Sequence, residues 1–219
     1  MEAVAGVHLH RSVANLRRYP QVFGLALVIL LFNAAHYVLP ATFVLYADYR
    51  YQWGEQSVGY VLAAVGVRSA IVQAGLSGAA VRRFGERRTL LAGCAFGVAG
   101  FAIYGLAPRG VVFLLGIPVM AFWGLAGPAT QALMSRQVDA SEQGRLQGAV
   151  TSLSSLAGIF APFLFASLFA SVIGPRAAWH LPGASFLLSA ALVFVAGVVA
   201  WKATSAGRGA ASGNASQPQ

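Results

Sequence analysis

A single cysteine, Cys94, stands in this chain, inside an apolar segment. No disulfide can close within the chain, and no thiol cluster can hold a metal. Charge is scarce as well: Asp, Glu, Lys and Arg make up 10% of the residues, against about 25% in an average soluble domain. None of the acidic residues falls in a long apolar segment. Soluble-enzyme signatures are missing too, with no His-Glu-x-x-His, no Gly-x-Ser-x-Gly and no phosphate loop. No catalytic set, cofactor or metal is expected.

Apolar residues are abundant. They make up 58% of the chain, above the roughly 45–50% of soluble domains. The fold class is therefore an all-α polytopic membrane bundle. A chain of 219 residues has room for roughly six spans of about 20 residues. The pattern predicts helices over Phe23–Tyr46, Ser57–Val81, Thr89–Ala107, Val111–Leu133 and Leu146–Ile173, and a sixth ending near Trp201. Pro182 and Gly183 blur the start of the sixth. Residues 1–20 read as a cytoplasmic lead-in, because the apolar run after them is too long for a secretory signal. Residues 21–202 form the transmembrane domain. Residues 203–219, with little to bury, read as a disordered cytoplasmic tail. Tyr49, Tyr51 and Trp53 suit an interfacial aromatic belt.

Between the second and third predicted helices lies a turn with Arg82, Arg83, Glu86, Arg87 and Arg88. Basic loops stay on the cytoplasmic side. With six spans, Arg11, Arg17, Arg18, Arg136, Arg145, Lys202 and Arg208 share that side, and only Arg50, Arg109 and Arg176 lie opposite. Both termini are then cytoplasmic. This placement accounts for the net charge of +9 without nucleic acid as a partner.

Polar residues inside the spans are few. Arg68 sits mid-helix, where a charge costs roughly 2.5–3.5 kcal/mol on insertion scales. It should face the bundle interior or a wet cavity. Its partner could be a carbonyl, water, an anionic substrate or an acid from another polypeptide segment. Asn33, His36, Tyr37 and Pro40 share a face of the first helix, which Pro40 should kink. His36 either titrates near neutral pH or serves as an interhelical hydrogen-bonding group. Gly75 and Ala79 form a close-packing pair on the second helix. Gly124, Gly127 and Gln131 share a face of the fourth, and Gln147, Thr151, Ser155, Gly158 and Pro162 form a stripe on the fifth. Each stripe is either plain helix packing or a cavity lining. Gln73 and Trp123 are further pathway candidates. In the turn, Arg82 and Arg83 suit a helix C-terminus, Gly85 permits a positive φ, and Glu86 can pair with nearby arginines.

Gly78-Ala79-Ala80-Val81-Arg82-Arg83-Phe84-Gly85-Glu86-Arg87-Arg88 resembles the signature loop of major facilitator transporters, Gly-x-x-x-Asp-Arg-x-Gly-Arg-Arg/Lys-Arg/Lys. Arg82 replaces the aspartate, and Glu86 replaces an arginine. Such degeneracy resembles the second copy of the loop, hence the C-terminal half. Gln131-Ala132-Leu133-Met134-Ser135-Arg136-Gln137-Val138-Asp139 and Gln143-Gly144-Arg145-Leu146-Gln147-Gly148 are similar to the second half of the tetracycline efflux antiporters. The likeness runs from about residue 20 to 175.

The resemblance implies a half of 3+3 inverted repeats, proton-coupled efflux of drug-like molecules, and a gating loop of Gly78, Arg82, Arg83, Gly85, Glu86, Arg87 and Arg88. It also implies that the first and fourth helices line the cavity, the second and fifth flank a missing half, and the third and sixth are peripheral. The implied partners are the lipid bilayer of a bacterial inner membrane, a small-molecule substrate and a second six-helix half. The alternative is a gene fragment or a non-transporting assembly partner. Two positions depart from the antiporters: Arg68 stands at a histidine position and Gly97 at a buried aspartate position. Those family residues belong to proton and drug–magnesium handling.

Overall fold

The computed structural model describes residues 20–174 and 181–214. The lead-in before Pro20, the loop carrying Arg176 and the last five residues lie outside the described residues. Among the described residues six helical rods are long and apolar enough to cross a membrane: Gln21–Tyr51, Glu55–Phe84, Glu86–Leu106, Gly110–Ser135, Gln143–Ile173 and Ala184–Ser205. They are called the first to sixth spans below. In lipid every backbone polar group must be satisfied within the chain, and helices do this segment by segment. The chain is a multi-pass membrane protein with one bundle of helices.

The spans contact one another in a repeating pattern. The third packs on the sixth, the first on the sixth, and the third on the fourth. The first also packs on the fifth, and the second on the fourth. Exchanging the first three spans for the last three maps these contacts onto themselves. This is the contact pattern of a 3+3 repeat.

Small residues set the closest approaches, since packing replaces the hydrophobic effect inside a membrane. A Cβ on Gly93 would lie 2.8 Å from the Ala126 Cβ and 2.9 Å from its backbone nitrogen. The third and fourth spans therefore touch backbone to backbone. Burial is uneven. Within their most apolar windows the second and fifth spans bury only 17% and 22% of residues, whereas the others bury 39% to 50%. Gly75 and Ala79 are exposed, so this small pair has no partner among the described residues.

At the end of the bundle opposite the arginine turn, aromatic side chains from four spans pack together. Tyr104 stacks on Phe113 at 4.2 Å, and Tyr46 lies 4.9 Å from Phe186. The Tyr46 hydroxyl donates to the Tyr104 carbonyl at 2.8 Å, and the Tyr51 hydroxyl donates to the Ala107 carbonyl at 3.0 Å. These carbonyls belong to the C-terminal end of the third span, where no intrahelical donor is left. Tyr49 is exposed, as an interfacial belt requires. Tyr51 and Trp53 instead turn inward, with Trp53 lying over Gly110.

Three spans depart from regular α geometry. The first breaks at Tyr37, between helices Pro20–His36 and Val38–Tyr51. Pro40 has no N–H to offer the His36 carbonyl, so the expected kink falls one turn earlier. The second span contains a π-turn over Val72–Leu76, and Ser77 closes it by donating its hydroxyl to the Val72 carbonyl. The fourth tightens into a 3-10 turn over Phe122–Leu125, downstream of Pro118.

The sixth helix continues to Asn214, past the expected boundary at residue 203. Side-chain bonds support its extension. Thr204 and Ser205 donate to the Ala200 and Trp201 carbonyls at 2.7 and 2.6 Å. Ala203 also packs closely against Gly24 of the first span.

Candidate functional site

The three irregular turns border one cavity of about 390 Å³. The first span supplies Phe32, Asn33, His36 and Leu39 to its wall. The second span supplies Val65, Arg68, Ser69, Val72 and Gln73. The fourth supplies Met120, Trp123, Gly124, Gly127, Pro128 and Gln131. Six of the residues expected from the sequence therefore converge: Asn33, His36, Arg68, Gln73, Trp123 and Gln131. The first, second and fourth spans together line this cavity. Ser69 also lines it. Nothing in the sequence marked Ser69, because serine is common on any helix face.

Arg68 bridges two spans. Its Nη1 donates to the Ile117 carbonyl at 2.6 Å, while Nη2 reaches the Ser69 hydroxyl at 3.5 Å. Its Nε is buried without an acceptor. Among the described residues no acidic side chain lines the cavity, so no carboxylate there neutralises the guanidinium.

Trp123 forms the floor. Its ring lies 5.9 Å from His36, 6.0 Å from Phe32 and 5.1 Å from Phe101. The indole can lie there because Gly97 is beneath it. A Cβ on Gly97 would stand 2.6 Å from Trp123 Cδ1 and 2.9 Å from Cγ. With Trp123 in this position, an aspartate at 97 has no room. The Trp123 Nε1 is also buried without a partner.

Tyr37, Thr151 and Ser155 do not line this cavity. The Tyr37 ring points to the fifth span, where a Cβ on Gly158 would meet its hydroxyl at 2.7 Å. Thr151 and Ser155 are exposed on the least-packed side of the fifth span. Ser155 bonds back to the Thr151 carbonyl at 3.0 Å. At the cavity's edge Gln147 donates to Gln131 at 3.3 Å, linking the fifth span to the fourth.

The arginine turn is built around Gly85, whose φ of 78° separates two helices. Thr89 donates its hydroxyl to the Gly85 carbonyl at 2.8 Å. Arg87 donates to the Thr204 and Ser205 hydroxyls at 2.8 and 2.9 Å, tying the turn to the sixth span. Glu86 pairs with Arg136 at 2.7 Å rather than with an arginine of its own turn. The turn's geometry aims Glu86 across the bundle, toward the link before the fifth span. Arg82 folds back over Gly78, and Arg83 lies 6.0 Å from the Phe84 ring. Arg82, Arg83 and Arg88 are otherwise exposed. Among the described residues no three His, Cys, Asp or Glu side chains group to hold a metal ion.

Comparison with known proteins agrees with this architecture. The chain is 39% identical to the class G tetracycline resistance protein of Vibrio anguillarum, over 64% of this chain and 35% of that protein. It is 32% identical to the class C tetracycline resistance protein of Escherichia coli, over 80% of this chain and 43% of that protein. It is 34% identical to the class D protein of Salmonella ordonez, over 66% and 38%. The chain thus spans less than half the length of these relatives. The family profile described as Major Facilitator Superfamily matches residues 25–218. With six spans, a 3+3 contact pattern and a degenerate signature loop, the chain belongs to the major facilitator superfamily.

Proposed function

We propose that this chain is one six-helix half of a proton-coupled exporter of drug-like small molecules. It works by alternating access when joined to a second six-helix half. The carrying observation is the cavity between the first, second and fourth spans, with its three helix irregularities and its unneutralised Arg68. Superfamily transporters place their site between two halves, near mid-membrane. The low burial of the second and fifth spans supports their role as the face toward a second half. The printed names of the relatives, tetracycline resistance proteins, support export of a drug-like molecule.

His36 is the cavity group suited to carry the proton, and Arg68 and Trp123 are its neighbours across the cavity. The arginine turn holds one of the alternating conformations through Glu86–Arg136 and Arg87–Thr204. In this reading residues 21–202 are the transport domain, and both termini face the cytoplasm of a bacterial inner membrane.

The test is drug accumulation in a pump-deficient bacterial strain. The chain is expressed alone and together with a six-span N-terminal half. Export is expected only with both halves, and should be lost in Arg68→Ala and His36→Ala. Full export by the chain alone would refute the half-transporter reading. No export in either setting would favour the alternative, a non-transporting assembly partner.

A further inference from the structure

We infer that the end of the bundle carrying the arginine turn holds one anionic phospholipid, its phosphodiester beside Arg87 and Arg88 and an acyl chain along the sixth span. The site lies apart from the cavity at Arg68 and stands whether or not the chain transports. A second cavity, of about 580 Å³, opens at this end. Its wall joins Gln21, the first residue of the first span, to Arg87 and Arg88 at the start of the third and Thr204 at the end of the sixth. Gln137, just past the fourth span, also lines it. These are the levels at which spans leave the hydrocarbon, where the polar headgroups of a bilayer begin. Among the described residues Glu86 is the one carboxylate in the wall, and Arg136 already holds it at 2.7 Å.

Arg87 is set in place by the protein itself. Its Nε donates to Thr204 Oγ1 at 2.8 Å and its Nη2 to Ser205 Oγ at 2.9 Å. Those hydroxyls are fixed in turn, because they donate to the Ala200 and Trp201 carbonyls at 2.7 and 2.6 Å. Hydroxyl partners orient a guanidinium without cancelling its charge, and its remaining N–H donors can serve another acceptor. A phosphodiester brings both the oxygens and the charge that arginine binds strongly. Arg88, exposed on the same wall, and Lys202, exposed at the end of the sixth span, add positive charge. Basic pockets between spans are a recognised setting for lipid headgroups. The sixth span points to a lipid rather than a free phosphate. Phe194, Val198, Trp201 and Ser205 follow at steps of 4, 3 and 4, which is one face of a helix. The first three are 61%, 39% and 55% exposed. This apolar ridge ends at Ser205, whose hydroxyl Arg87 holds. An acyl chain laid along the ridge therefore brings its headgroup to Arg87.

The test is native mass spectrometry of the full chain in detergent, titrated with phosphatidylglycerol and with phosphatidylcholine of the same acyl chains. Glycerol 3-phosphate supplies the arm for a free phosphate ester. The first phosphatidylglycerol is expected to bind about fivefold or more tightly than phosphatidylcholine, the gain from a negative charge beside basic residues. Arg87→Gln should weaken it by about tenfold, the loss of a charge-assisted bond, and Arg88→Gln severalfold. Phe194→Ala should weaken both lipids and keep the preference between them. Arg145→Gln is the control and should leave binding unchanged, since Arg145 lies 3.8 Å from Glu142 and does not line this cavity. Equal binding of the two lipids, or equal losses from Arg87→Gln and Arg145→Gln, would overturn the inference in favour of general surface charge. Displacement of phosphatidylglycerol by glycerol 3-phosphate, or lipid binding indifferent to Phe194→Ala, would overturn it in favour of a site for free phosphate esters. If Arg87→Gln does not fold, Arg88→Gln, at an exposed position, decides against the same control.

Discussion

Glu86 and Arg136 meet at 2.7 Å, one from the turn after the second span and the other from the link before the fifth. The Arg136 side chain is 71% exposed and that of Glu86 16%. So exposed a pair adds about 0–1 kcal/mol to stability. Its value lies in fixing the distance between two loops. Glu86→Gln and Arg136→Gln should each shift the stability by no more than about 1 kcal/mol. Each should change the transport rate of the assembled protein severalfold. The charge swap Glu86→Arg with Arg136→Glu should restore part of that rate. Thermal unfolding and transport assays on the same four proteins check this, and additive single effects would refute the coupling.

Tyr46→Phe removes one hydroxyl from the aromatic end of the bundle. The Tyr104 carbonyl then loses its donor inside a packed cluster. A loss of about 1–3 kcal/mol is expected, the cost of an unsatisfied buried acceptor. Cys94 is buried and free, so a thiol-reactive dye reports unfolding directly. An unchanged midpoint of dye labelling would show that the Tyr104 carbonyl finds another donor.

Gly97→Ala should disturb Trp123. The added methyl would lie 2.6 Å from the indole edge, so the ring must shift or the spans must part, at about 1–3 kcal/mol. A changed Trp123 emission, read against a Trp123→Phe control, is the measurement. Unaltered emission and stability would mean the indole has room that its position against Gly97 denies it.

The proposed orientation is open to direct labelling, because buried Cys94 gives a quiet background. Arg88→Cys sits in the arginine turn and Arg109→Cys in the turn at the opposite end. A membrane-impermeant maleimide added to intact cells should label Arg109→Cys and spare Arg88→Cys until the membrane is opened. The reverse pattern would turn the molecule over.

Much of this architecture was legible in the residues. Long apolar runs and basic turns gave six spans, because lipid leaves a chain few alternatives to helices. Arg68, His36 and Gln131 were legible as cavity residues, since a polar group at membrane depth must find the interior or water. Thr151 and Ser155 show where that logic stops. A serine that bonds to its own helix four residues back, as Ser155 does, needs no interior. Its stripe therefore did not say which way the fifth span faces. The inward turn of Tyr51 depended on a carbonyl 56 residues away, at Ala107. The seat of Trp123 depended on Gly97 in a neighbouring span. Pairings of that reach come from tertiary packing, and no local pattern marks them.

The π-turn at Val72–Leu76 leaves the helix Ser77–Phe84 as a separate arm beyond the cavity. Eight residues at about 1.5 Å each make an arm of about 12 Å. A swing of about 10° at the π-turn then carries its tip by about 2 Å. The tip leads through Gly85 into Glu86 and Arg87, whose partners stand in two other parts of the bundle. A displacement of that size breaks a hydrogen bond. Were the helix to pivot at Val72–Leu76, an event small enough to fit beside Val72 and Gln73 would be magnified into the making or unmaking of those bonds.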